Sequence, residues 1–318
     1  SSLPTASVWP TISKLEFGGF PIGDVKGGKV RFRPLVVDFM DVVGTKGRSD
    51  YRVPTARLDF EKGSSVLVDA RVQSDDFDVR DYFAMFHFDA DPRFDPIHGL
   101  GKIDARVVYD LGGQRDRCGG GYLRVDGKMD LRRVELFDER YDSARADFDF
   151  RWLDRDASYL GVVLGVPSLS LSKSSGSVLG SLPMRQGGVV NGHITATGVP
   201  LSRFDSLGSL GTSVDGRASA IAEVSGTVDE LAVVTSVRLS PVRMGGSTLP
   251  ASDLSVSLVP KSRKLKTIGK TRCGGRITPA FDRAEYDPDH SDGTFHVSGK
   301  MFGGQVKLDG VEISRQRK

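Results

Sequence analysis

Alternation of apolar and polar residues runs through nearly the whole chain, and its period of two marks strands that turn one face from water. Val66, Val68, Ala70 and Val72 fall on one side of such a strand, with Ser65, Asp69 and Arg71 on the other and Leu67 as the exception. Ile103, Ala105, Val107 and Tyr109 repeat the pattern, as do Leu123 and Val125, and Phe148, Phe150 and Trp152 against Asp147, Asp149 and Arg151. Farther on come Ala218, Ala220, Ala222 and Val224, then Val237 and Leu239, then Leu254, Val256 and Leu258, and finally Phe295, Val297, Val306 and Leu308. Gly18-Gly19, Gly27-Gly28, Gly112-Gly113, Asp126-Gly127, Gly187-Gly188, Asn191-Gly192, Asp215-Gly216, Gly245-Gly246, Gly303-Gly304 and Asp309-Gly310 punctuate the chain. Such pairs supply the positive φ angles of tight hairpins, so they predict strand reversals and antiparallel neighbours. The predicted fold is all-β, an elongated antiparallel meander.

Helical periodicity is scarce. Val79, Tyr82, Phe83 and Phe86 predict a short helix within 78–88, and Leu201, Phe204, Leu207 and Leu210 predict another over 201–210. Each precedes an alternating strand, which suggests a helix capping one edge of a repeated unit. The clearer unit spans about 199–260: Pro200-Leu-Ser-Arg-Phe-Asp-Ser-Leu, a glycine, the strand Gly216-Arg-Ala-Ser-Ala-Ile-Ala-Glu-Val and a Ser225-Gly-Thr turn. A weaker copy spans about 78–125, where Val79-Arg-Asp-Tyr-Phe83 leads through Gly99 and Gly101 into Lys102-Ile-Asp-Ala-Arg-Val-Val-Tyr-Asp. Repetition of one small β unit points to an array whose chemistry lies along a surface. No linker separates independent cores, so 1–318 reads as one continuous body.

Composition narrows the partners. A hydrophobic share of 38% with 38 glycines suits many short strands and not a deep compact core. A formal charge of +3 is too balanced for a protein that holds polyanions, which argues against nucleic acid. Charge is uneven locally: Asp75, Asp76, Asp78 and Asp81 read as a solvated loop. Lys261, Arg263, Lys264, Lys266, Lys270 and Arg272 read as a solvated loop or as a contact for anionic lipid head groups. No run approaches the roughly 20 apolar residues of a membrane-spanning helix, and Ser1 opens no signal segment. The chain is expected to be a piece of something longer, with room for an anchor elsewhere in the parent.

Candidate chemistry is sparse. His87, His98, His193, His290 and His296 lie far apart and never at a helical metal-binding spacing, so no metal site and no cofactor are expected. Asp89, Asp91 and Asp95 lack the central glycine and terminal Glu of a calcium loop, and a turn held by Asp side chains accounts for them better. No Gly-x-Ser-x-Gly and no Ser/His/Asp framework surfaces. The paired acids of a glycosidase stay open, because their separation in space is invisible here. On this reading the chain is not an enzyme. Cys118 and Cys273 share an Arg-Cys-Gly-Gly setting but cannot by themselves assemble a four-ligand zinc site.

The segments Gly216 to Asp229, Val237-Arg-Leu-Ser-Pro-Val-Arg-Met-Gly245 and Leu249-Pro-Ala-Ser-Asp-Leu-Ser-Val-Ser-Leu258 resemble the recurring unit of the TamB and AsmA-like proteins of Gram-negative bacteria. Pro200-Leu-Ser-Arg-Phe-Asp-Ser-Leu resembles that family's short inter-repeat helix. The match covers about 199–260, with the weaker copy from Asp78 to Gly113; the latter departs from it at Tyr109-Asp-Leu-Gly-Gly, and 118–152 carries no such signature. The resemblance implies a curved half-pipe, or β-taco, anchored through its parent in the inner membrane and crossing the periplasm. It also implies a part in moving phospholipid between membranes and in outer-membrane biogenesis.

Elementary physics agrees, since a sheet with one apolar face and no second sheet over it needs an apolar partner. At about 0.8 kcal/mol per methylene, a lipid tail gains on the order of 10 kcal/mol in an apolar trough, close to what it loses on leaving a bilayer. The expected lipid-facing set is Val66, Val68, Ala70, Val72, Ile103, Ala105, Val107, Ala218, Ala220, Ala222, Val224, Leu254, Val256 and Leu258. Two other readings compete. One is a scaffold whose strand edges pair with an outer-membrane barrel protein during assembly. The other is a secreted β-solenoid enzyme or adhesin for polysaccharide, which needs carboxylates and aromatics clustered on one face, whereas the charges look spread and only Trp9 and Trp152 are present.

An elongated array keeps distant sequence distant in space, and a disulfide requires Cα atoms within roughly 7 Å. Thiol counting on the unreduced, denatured monomer is therefore expected to find both Cys118 and Cys273 reactive; finding neither would mean that the chain doubles back.

Overall fold

Four of the ten predicted turn pairs lie inside strands, and Gly18-Gly19, Gly112-Gly113 and Gly187-Gly188 fall outside the described residues. The computed structural model describes residues 5–17, 20–60, 66–85, 89, 95, 97–111, 122–136, 138–152, 162–185, 189–208, 213–227, 230–260, 267–273, 276–281 and 293–313. Cys118, Asp91, His87, His290, Lys261, Arg263, Lys264 and Lys266 lie outside these residues. Two compact units form, one from Ser1–Arg115 and Gly119–Ala157, the other from Ser158–Lys318 with Asp116–Cys118.

In the first unit, β1 (Ala6–Val8) and β2 (Ile12–Phe17) pair along β3 (Phe20–Arg33), followed by β4 (Val36–Lys46), β5 (Ser49–Asp59) and β6 (Val66–Asp78). Then come α1 (Val79–Met85), β7 (Ile97–Leu111), β8 (Tyr122–Leu136) and β9 (Glu139–Trp152), each strand antiparallel to the one before it. The second unit runs β10 (Val162–Lys173), β11 (Gly176–Arg185), β12 (Val189–Pro200), a 3-10 turn at Leu201–Arg203, α2 (Asp205–Gly208), β13 (Val214–Asp215), β14 (Arg217–Thr227) and β15 (Glu230–Leu239). It continues through β16 (Val242–Met244), β17 (Ser247–Leu249), β18 (Ser252–Pro260), β19 (Thr267–Cys273), β20 (Arg276–Phe281), β21 (Gly293–Met301) and β22 (Gly304–Ile313). Its main ladder is β10, β11, β12, β14, β15, β18, β21 and β22, all antiparallel. Two small ladders, β13–β16–β17 and β19–β20, stand aside from it. The fold is all-β and antiparallel, as predicted, and is not closed into a barrel. No described helix is long and apolar enough to cross a membrane.

Several predicted hairpins are overturned. Gly27-Gly28, Asp126-Gly127, Asn191-Gly192 and Asp309-Gly310 sit within β3, β8, β12 and β22, and Asp215-Gly216 joins two strands that pair elsewhere. The predicted Ser225-Gly226-Thr227 turn is the end of β14. Gly245-Gly246 does reverse β16 into β17. The mid-strand glycines answer to close approach of backbones: a Cβ on Gly127 would collide with the Asp104 carbonyl, and one on Gly192 with that of Ser181. Gly303-Gly304 likewise reverses β21 into β22, with Phe302 beside it at positive φ, and the β3–β4, β8–β9 and β10–β11 reversals use Leu35, Asp138 and Ser174 at positive φ without a glycine pair.

The helices differ from each other. Within the predicted 78–88 segment, α1 forms, and the Asp78 carboxylate caps it by accepting the Arg80 N–H at 3.0 Å. The aspartates expected in a loop are thus strand and helix residues: Asp75, Asp76 and Asp78 in β6, Asp81 in α1. The predicted 201–210 helix is broken at Phe204, whose backbone is extended (φ −77°, ψ 119°). Tertiary anchors win there over local propensity: Leu201 is buried and donates its N–H to the Gly216 carbonyl at 2.9 Å, while the Phe204 ring lies 5.2 Å from the buried Lys173 ammonium.

Gly127→Ala should lower stability by about 1–3 kcal/mol through forced backbone displacement. Gly27→Ala, where a Cβ would make ordinary contact with Val43 at 3.7 Å, should be near neutral. Urea midpoints compare the two, and equal midpoints would contradict the close-approach account.

Candidate functional site

Residues directly opposite in an antiparallel ladder point to the same side, so the register defines each face. In the second unit one row reads Leu171, Val178, Ala196, Ala220, Val237, Leu254, Gly299, Val306 across the eight strands. The next reads Leu169, Gly180, Ile194, Ala222, Thr235, Val256, Val297, Leu308. A third joins Gly192, Val224, Val233, Leu258 and Phe295. Ala218 pairs with Val199 and Leu239 on the same side. All seven predicted residues of this unit therefore share one face, and their sequence pattern misses the neighbours Ile194 and Val233 that complete it. Val224 is buried, whereas Ala218, Ala220, Ala222, Leu254, Val256 and Leu258 are only half-buried.

The first unit also has an apolar face, with Val30, Phe39, Ala56, Ala70, Val107, Val125 and Phe150 in one row over seven strands. Here the predicted residues divide. Val66, Val68, Ala70, Val72 and Val107 are half-buried, while Ile103 and Ala105 are buried with Tyr109, Leu123, Val125, Phe148 and Phe150. Part of the cover comes from the sheet itself. The Phe20 and Tyr109 rings meet edge to face at 5.6 Å. On a flat sheet they would stand four strand spacings apart, on the order of 19 Å, before counting their offset along the strands. The sheet of this unit therefore coils, apolar face inward.

Each apolar face is capped at one end. In the first unit the Asp81 carboxylate of α1 accepts the Arg48 N–H (2.8 Å), the Ser49 N–H (2.9 Å) and the Ser49 hydroxyl (2.7 Å), which pins the helix to the β4–β5 turn, with Val79 and Phe83 buried. In the second the 3-10 turn, β13 and Val242 gather beside Val199, Leu201 and the buried Ser252, whose hydroxyl accepts the Phe302 N–H at 2.9 Å.

The opposite faces differ in chemistry. That of the second unit is rich in Ser and Thr, with Ser170, Leu179, Thr195, Ile221, Ser236, Ser255 and Ser298 in one row. That of the first is a lattice of Arg and Asp. Arg71 and Arg106 stand directly opposite, and each takes a diagonal carboxylate in a two-point bond: Arg71 with Asp104 (2.9 and 2.5 Å), Arg106 with Asp69 (2.9 and 2.7 Å). Arg151–Asp149, Arg145–Asp130 and Arg124–Asp126 extend it, and Asp69, Arg71, Asp104, Arg106 and Asp126 line an open depression. The charges thus cluster on one face of this unit, contrary to the spread expected from sequence. Hydrogen bonding to Arg106 and Arg71 holds Asp69 and Asp104 below the ordinary carboxylate range. A general acid requires the opposite direction. Among the described residues no group of three or more His, Cys, Asp or Glu is placed to hold a metal ion. His193 and His296 lie on separate strands, the latter against Asp309.

No family model, curated protein or solved structure matches this chain.

Because the folded-state pKa values of Asp69 and Asp104 are depressed, their pairs stabilise the fold above the unfolded carboxylate value near 3.9 and lose that contribution as pH falls below it. The effect is modest, since both carboxylates are over a third exposed and salt screens them. Asp104→Asn should flatten the fall in melting temperature between about pH 5 and pH 2; an unchanged slope would remove the lattice from the acid response.

Proposed function

We infer that this chain is a segment of a lipid conduit, in which phospholipid acyl chains lie along the apolar face of the second unit. The observation that carries the reading is the half-burial of Ala218, Ala220, Ala222, Leu254, Val256 and Leu258 in aligned rows that are apolar but for Thr235. A core residue of a closed domain is ordinarily sealed; these are aligned and left partly open, which suits a transient apolar guest. Small side chains in β14 leave space over the rows, and larger ones in β18 supply contact. The cap at Val199, Leu201 and Val242 sets one end of the face, so a guest enters along its length or from the other end.

Conveyance of this kind needs no catalytic residue or cofactor. In this reading the segment belongs to a longer parent anchored in the inner membrane, works in the periplasm in outer-membrane biogenesis, and is similar in role to TamB and AsmA-like proteins. The sealed interior around Ile103, Ala105 and Val125 serves the first unit as its packed core.

Ala220→Asp or Val256→Asp should reduce retention of a fluorescent fatty acid or phospholipid at least tenfold, because each sets a charge among apolar neighbours. Ser255→Asp, on the opposite exposed face, should leave retention within about twofold. Melting curves separate unfolding from loss of binding, and equal losses from both faces in folded protein would refute the one-sided trough.

A further inference from the structure

The edge of the first unit formed by β1, β2 and the β3–β4 turn carries apolar side chains that the fold does not use. Trp9 is 72% exposed and Leu35 60%; Val8 and Phe32, also exposed, stand with Val30 at the margin of the apolar face. Leu35 is the unexpected one, because it occupies the turn at φ 57°, a conformation that glycine or asparagine adopts at lower cost. The turn is held by the Phe60 N–H donating to the Leu35 carbonyl at 2.7 Å, so Leu35 is presented in a fixed place with its side chain in solvent. Packing does not account for the leucine.

Charge near this edge is one-sided. Residues 5–38 carry Lys14, Lys26, Lys29, Arg31 and Arg33 against Glu16, Asp24 and Asp38, a net +2, with Arg33 paired to Asp38. On the polar face of the unit many arginines are matched to aspartates, as in Arg71–Asp104, Arg106–Asp69 and Arg145–Asp130. Among the described residues Lys26, Lys29 and Arg31 have no carboxylate partner, and the Lys29 ammonium instead lies 5.8 Å from the Trp9 ring. Isolated aromatic and aliphatic side chains flanked by unpaired cations match the headgroup boundary of an anionic bilayer, where rings and chains enter the apolar layer and ammonium and guanidinium groups meet phosphate.

We propose that this edge docks the chain on the surface of an anionic phospholipid bilayer, with Trp9 and Leu35 inserted and Lys29 and Arg31 against the phosphates. The inference builds on the conduit reading by supplying the membrane with which lipid is exchanged.

Co-sedimentation of the full chain with vesicles tests it. Binding to mixed phosphatidylglycerol and phosphatidylcholine should be at least tenfold tighter than to phosphatidylcholine alone, and should weaken with added salt. Trp9→Ser combined with Leu35→Gly should reduce it at least tenfold. Leu35→Gly relieves the turn, so its unfolding midpoint should equal or exceed that of the parent protein, and lost binding cannot then be assigned to misfolding. Absence of vesicle binding, or binding unchanged in the double variant, overturns the proposal. So does self-association of the parent protein without vesicles that Leu35→Gly abolishes, which would assign the edge to a second copy. Fatty-acid retention measured without vesicles separates the two readings: retention without vesicle binding defeats docking alone, and vesicle binding without retention defeats the conduit alone.

Discussion

Everything in this molecule depends on register. Ladder pairing with a side-chain period of two means that a slip of one residue would send an entire apolar row to the opposite face. Val30, Phe39, Ala56, Ala70, Val107, Val125 and Phe150 come from seven strands, yet they align because each hairpin passes its register to the next. The polar side is equally bound to this constraint. Arg71 finds Asp104, and Arg106 finds Asp69, only while Arg71 and Arg106 stand opposite each other. A slipped pairing would leave apolar residues in water and like charges facing without their diagonal partners, so both faces favour the same alignment.

Regular strands were legible in the sequence because their alternation is unbroken. Ala218 to Val224 and Leu254 to Leu258 show their shared face through periodicity alone, and the register adds only who stands beside whom. Where backbone irregularity intervenes, periodicity fails. Phe39 and Val42 are three residues apart, with Asp41 at φ 50° between them, and the β3–β4 register shifts there. The Arg/Asp lattice was likewise invisible, since Asp69 and Arg106 lie 37 residues apart in the chain. Turn chemistry misled for a related reason: an Asp-Gly pair marks a place without a Cβ obstacle, and whether a reversal or a neighbouring backbone uses that space is decided by the strands around it. The broken 201–210 segment shows the same competition, settled by the contacts of Leu201 and Phe204.

The two units place similar ladders in different states of closure. In one, the coil that brings Phe20 to Tyr109 turns much of the apolar face into an interior. In the other, the alanines and valines of β14, with the leucines of β18, stay half-covered. Bulk accounts for part of this contrast. Tyr109 reaches far enough from its strand to meet Phe20 across the coil, and Phe148 and Phe150 are buried beside it, whereas Ala218, Ala220 and Ala222 are too short to close such a gap. Aromatic residues thus mark where the fold closes on itself, and small residues mark where it leaves room.

The order of pairing has a consequence for how such a chain assembles. Almost every strand of the two main ladders pairs with the ladder strand that precedes it, and the insertions between β12 and β14 and between β15 and β18 are short. Loop closure is therefore incurred one hairpin at a time, with no strand waiting for a distant partner. Each finished hairpin offers its free edge as a template for the next, so structure can grow in the direction in which the chain is delivered. A ladder built this way lengthens or shortens at its free edge by whole hairpins, because each strand answers chiefly to its neighbours.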